Sequence, residues 1–137
     1  MQELLSAASL STAGILLLSI VAIEFGGYYM LKIVRGRAPV TPFQRNFARA
    51  GHAHAGVLVT LALVCQPFVD AAGMSGLLGG LARSGVACAA ILMSAGFFFS
   101  SMGKEVTQPN GFIALVYVGT VSLALGVASL GVGLLSA

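Results

Sequence analysis

Charge is what this chain has least of. Lys, Arg, Asp and Glu make up 8% of its 137 residues, against roughly 25% in soluble domains, while 58% of the residues are hydrophobic. That shortage excludes an ordinary soluble domain and points to a membrane protein. Cysteine is scarce as well. Cys65 and Cys88 each sit inside an apolar run and read as small buried hydrophobes. Neither belongs to a CxxC or zinc spacing, so metal chemistry through sulfur is not expected, and a disulfide would need close Cα atoms at matched depth. The first ten residues, MQELLSAASL, hold Glu3 and no Lys or Arg. They lack the basic stretch of a secretory signal, so the first apolar segment is expected to stay as a span. A net charge of +3 does not point to nucleic acid, because Lys32, Arg35, Arg37, Arg45 and Arg49 all fall in one connection between apolar segments. That clustering is the mark of a cytoplasmic loop.

Against these absences stand four long apolar stretches, near 12–33, 47–69, 77–101 and 112–135. Each reaches the ~20 residues needed to cross a bilayer core. A single all-α domain is predicted over 1–137, an integral membrane four-helix bundle. In the basic connection, Thr41-Pro42-Phe43-Gln44 has the form of a helix start, with Thr as cap, Pro at the first helical position and Gln three residues after the cap. The second helix is therefore expected to begin on the water side. The connection DAAGMSG has no basic residue, whereas KEVTQPNG has Lys104 and the turn pair Pro109-Asn110. Counting basic residues puts the first and third connections inside and both termini outside. Arg83 is expected to snorkel from the third span to the outer interface. On the fourth span, Gly119, Ser122, Gly126, Ser129 and Gly133 form one small-residue face. Such a face suits close packing, either within a chain or between subunits of a homo-oligomer.

Ionisable residues inside spans are costly and tend to be functional. Glu24 lies eight residues from Lys32, His54 five beyond Arg49, and Phe98 six before Lys104. At 1.5 Å per residue all three sit ~8–12 Å from the inner boundary, with Tyr117 near the same layer and Tyr28 and Tyr29 just below. The layer reads in two ways. Either Glu24 pairs with a histidine and sets helix register, or the layer binds a ligand, proton or cofactor.

The histidines stand in RAGHAHAGVLV, residues 49–59. Residues i and i+2 of a helix point about 200° apart, so His52 and His54 cannot both bind one small ion, as the i, i+4 pair of HExxH does. One can face a cofactor while the other faces another helix or Glu24. Ala50, Gly51, Ala53, Ala55 and Gly56 leave space beside His54, which suits a flat, bulky partner. Haem, whose iron takes an axial histidine, is such a partner.

FARAGHAHAG at 47–56 and SAGFFFSSMGKEVTQPN at 94–110 resemble segments of styrene oxide isomerase, a small four-span membrane enzyme family. The first resembles that family's Ala-Arg-Ala run leading to a His-Ser-Gly. The second resembles its Gly-Phe-aromatic-Phe run followed by Pro-Asn. Hydroxylaminobenzene mutase is similar at the second-helix histidine. In order and spacing the resemblance covers about 45–135. It implies a homotrimer in a bacterial plasma membrane, with ferric haem b held between subunits. The iron would act as a Lewis acid on an epoxide oxygen and promote isomerisation to a carbonyl compound. The His-(Ser/Ala)-Gly match carries the axial ligand onto His54, with Gly51, Ala55, Phe97 and Phe98 around the cofactor. A small shift of the alignment would place His52 there instead. The chain departs from the family's pattern at Thr60, Phe98 and Ala90, where the isomerase has asparagine, tyrosine and aspartate. Its polar groups are thus largely replaced, while the scaffold, the histidine and the aromatic wall remain.

Three functions follow as expectations. The first is a haem-b membrane protein of isomerase or mutase type acting on a small hydrophobic ligand. The second is a non-enzymatic small subunit or assembly factor of a larger membrane complex, supported by the chain's size. The third is a proton or solute pathway through Glu24, His52 and His54. Transporters of that kind show repeats or broken helices, and neither is found.

Overall fold

The computed structural model describes residues 4–137, so Glu3 lies outside the described residues. It is all-helical: α1 spans Ala7–Val34, α2 Pro42–Ala71, α3 Gly76–Ser100 and α4 Ala114–Leu135, the last preceded by a single 3₁₀ turn, Gly111–Ile113. All four helices are long and apolar enough to cross a membrane. The protein is thus a four-helix integral membrane protein, as its composition requires.

The helix ends are specified locally. Ser6 caps α1, its hydroxyl accepting the Ser9 amide. Thr41 caps α2 through a full capping box. Its hydroxyl accepts the Gln44 amide at 3.1 Å, and the Gln44 side chain accepts the Thr41 amide at 3.1 Å. The same two side chains also reach across to the α3–α4 connection. The Thr41 hydroxyl donates to the Val106 carbonyl, and Gln44 Nε2 donates to the carbonyls of Ser101 and Gly103, both at 2.9 Å. One local motif therefore both starts α2 and fastens the two connections together at the basic end. Asn110 starts the 3₁₀ turn, its side chain accepting the Phe112 amide. Between α2 and α3, Gly73 and Gly76 take positive φ, +59° and +63°, which lets this connection stay short.

The helices pack in sequence order, α1 on α2, α2 on α3 and α3 on α4, with a lesser contact between α2 and α4. The core lies along the α2–α3 seam, where Ala62, Val69, Ala82, Val86 and Ala89 are fully buried. The small-residue face of α4 packs inside the chain. A Cβ on Gly85 would come within 2.7 Å of the Gly126 Cα, and the Ser122 hydroxyl donates to the Gly85 carbonyl at 2.8 Å. Two backbones meet there, so α3 itself takes up the face that also suited a subunit contact. Around this seam, large apolar residues such as Leu18, Phe25 and Ile91 remain exposed, as lipid-facing positions require.

Arg83 reaches toward the end of the bundle away from the basic connection and finds partners there. Its guanidinium forms an ion pair with Asp70 at 2.8 Å and also donates to the Ser9 hydroxyl. Asp70 in turn accepts the Ser6 amide at 2.8 Å and the Ser6 hydroxyl at 3.0 Å. Gln66, 1% exposed, donates to the carbonyls of Ala62 and Arg83. A polar clasp thus joins α1, α2 and α3 at the end away from the basic connection. Cys65 is buried and Cys88 exposed, and both are free.

Candidate functional site

The two histidines leave α2 on opposite sides of the α2–α3 seam. Gly51 sits in the seam between them. It is buried, and a Cβ there would meet the Phe98 ring at 3.0 Å and Phe97 Cβ at 3.2 Å. A side chain at 51 would have to push these two phenylalanines back by a few tenths of an ångström.

On one side, the His52 ring lies over Gly26 and Gly27 of α1. A Cβ on Gly26 would stand 3.1 Å from His52 Nδ1, and one on Gly27 3.6 Å from Nε2. These glycines make a bare patch of backbone on which the imidazole rests. Neither ring nitrogen of His52 has a hydrogen bond among the described residues. The ring closes one end of a cavity of about 400 Å³ between α1, α2 and α3. Ala55 and Val59 of α2 and Ala90 and Phe98 of α3 line it, facing a row on α1 that runs from Thr12 through Ser19 and Ala22 to Gly26. Apart from Thr12 and Ser19 the walls are apolar. Ser19 turns its hydroxyl proton to the Leu16 carbonyl at 2.7 Å.

On the other side, His54 Nδ1 lies 2.7 Å from the Ala50 carbonyl oxygen. A carbonyl only accepts, so Nδ1 carries the proton and donates. The lone pair is then left on Nε2, which has no partner among the described residues. The ring packs against Phe97 with centroids 5.0 Å apart, Phe97 against Phe47 at 5.4 Å, and Phe47 against Phe43 at 4.2 Å. An aromatic row therefore supports His54 from the basic end of α2.

The residues expected at one site thus divide. Phe97 stands with His54, Ala55 and Phe98 line the cavity closed by His52, and Gly51 lies in the seam between them. Glu24 is exposed on α1 and makes no hydrogen bond or ion pair among the described residues. It does not pair with either histidine. Its position puts it on the outward side of α1, and His52 rests on the glycines instead. Tyr117 is 66% exposed on α4, away from the cavity walls. Among the described residues, no three His, Cys, Asp or Glu side chains gather as a metal-ion site.

Sequence reasoning passed over the Gly26-Gly27 seat and the cavity itself. The signal was present in α1, where Thr12, Ile15, Ser19, Ala22 and Gly26 repeat at steps of three and four, the spacing of one helix face. The clasp of Ser9, Gln66, Asp70 and Arg83 was also missed, because its members come from three helices.

No family model, curated protein or solved structure matches the chain.

Proposed function

We propose that this integral membrane protein binds haem b through His54 as the axial ligand, in a bacterial plasma membrane with the basic connections inside and both termini outside. The observation that carries the reading is the fixed tautomer of His54. The Ala50 carbonyl, 2.7 Å from Nδ1, holds the ring and leaves Nε2 free to ligate, the arrangement that metal-binding histidines use. The residues present fit a haem better than a bare ion. A bare ion needs several protein donors, and no cluster of three is found among the described residues. A porphyrin brings its own four nitrogens and asks the protein for one. Phe97 supplies an aromatic support for the ring, and Gly51 lets that support come close.

Bound haem supplies a Lewis-acidic iron, the chemistry that the resemblance to epoxide isomerases implies. The chain's own contribution is to fix the imidazole and to surround it with apolar surface. The aromatic row of Phe97, Phe47 and Phe43 beside His54 carries no proton donor. A substrate is therefore a small hydrophobic molecule selected by shape, with isomerase-type rearrangement as its reaction. His54 remains partly exposed, and a neighbouring copy in a homotrimer completes its surroundings.

Purification from haem-replete cells tests this directly. The wild type is expected to carry a Soret band that His54→Ala removes. A colourless wild type from haem-replete cells contradicts the proposal.

A further inference from the structure

The cavity beneath α1 has a shape that narrows what can fill it. Its lining on α1 extends from Thr12 to Gly26, fourteen residues, or ~21 Å at 1.5 Å per residue. Its volume of about 400 Å³ is spread over that length. That is a long groove running along α1. The slot opens sideways, because α1 packs on α2 and stands off from α3. Ile15 and Ile91, 70% and 71% exposed, form its two rims, so its mouth faces the bilayer.

The ends of the slot differ. Towards the basic connection it stops at the His52 ring, whose two nitrogens find no hydrogen-bond partner among the described residues. A neutral imidazole offers one donor and one acceptor, and an apolar site leaves both wanting partners. Arg49 stands three residues before His52, ~4.5 Å along the helix axis. The imidazole therefore lies just beneath the cationic rim, at the depth of a lipid's first polar atoms. Along the walls, Thr12 stands at the opposite end, Ser19 has turned its proton to its own helix, and the α2 and α3 surfaces are alanine, valine, isoleucine and phenylalanine.

We propose that this slot is a binding site for a single-chain lipophile with one uncharged oxygen head group, an alcohol, phenol or quinone type, which enters from the bilayer. The tail lies along α1 and the head hydrogen-bonds to His52. The site stands on the other side of the α2–α3 seam from His54, so it does not depend on haem.

A long-chain saturated alcohol carrying a diazirine in its tail tests the site in the full-length protein, beside the matching hydrocarbon that lacks the hydroxyl. Photolabelling followed by mass spectrometry is expected to place the label near Ile15, Ile23, Ala87 and Ile91. Unlabelled alcohol should compete, outdoing the hydrocarbon by about two- to tenfold, the worth of one net hydrogen bond. His52→Ala should bring that preference to near parity while leaving the labelled positions unchanged. Ala22→Phe, or Ala87→Leu where the first variant folds poorly, should plug the slot and remove the label with helical circular dichroism unchanged. Label spread evenly over the lipid-facing residues overturns the proposal. So does slot labelling by a diazirine phosphatidylcholine that the alcohol fails to displace, which marks a slot filled by bulk lipid. An unchanged preference in His52→Ala overturns the role of the imidazole.

Discussion

At the scale of single residues, the molecule depends on where side chains are missing as much as on where they are present. Gly51 is one such case, since a Cβ there meets the Phe98 ring at 3.0 Å. Gly51→Val is expected to lower stability by about 1–3 kcal/mol, the range for overpacking a filled interior, read as a lower thermal midpoint in detergent. Asp70→Ala tests the clasp. It leaves the Arg83 guanidinium, only 19% exposed, without its counter-charge, and removing one partner of such a pair costs about 3 kcal/mol. Thermal unfolding of this variant should show a larger loss than an exposed Lys104→Ala does. Some of this chemistry was legible in the sequence. The i, i+2 spacing alone separates His52 from His54, and the structure puts them on opposite sides of a seam. The partners of each histidine were not legible. His52 rests on Gly26 and Gly27 rather than meeting Glu24, and no pattern within α2 tells which part of α1 will lie beneath it.

At the scale of helices, local signals carried most of the information. Length and hydropathy gave four spans, and the Thr41–Gln44 capping box gave the start of α2 at Pro42. The same spans did not reveal that Thr41 and Gln44 also hold the α3–α4 connection, because that contact joins residues nearly sixty positions apart. The small-residue face of α4 was visible, but its partner was not. Gly85 supplies that partner on α3, and the approach is backbone against backbone. Gly85→Val is therefore expected to destabilise the α3–α4 pair by about 1–3 kcal/mol, with protease accessibility rising in the α3–α4 connection. A flexible side chain could give way to the new methyls, whereas the Gly126 backbone cannot. An unchanged thermal midpoint for Gly85→Val would show that the two helices do not meet as described.

At the scale of the whole molecule, four helices in serial packing give two separate grounds for chemistry. One is the slot under α1, closed by His52. The other is the partly exposed face where His54 stands over an aromatic row. Composition foretold a membrane protein, but not this division, which depends on α1 standing off from α3. The central claim rests on the Nδ1 contact of His54 with the Ala50 carbonyl, which leaves Nε2 as a ligand. The most direct test is the visible absorption spectrum of wild type, His52→Ala and His54→Ala proteins, purified in parallel from haem-replete cells. The account predicts a Soret band in wild type and His52→Ala and none in His54→Ala. A band that survives in His54→Ala, or is lost only in His52→Ala, would contradict it.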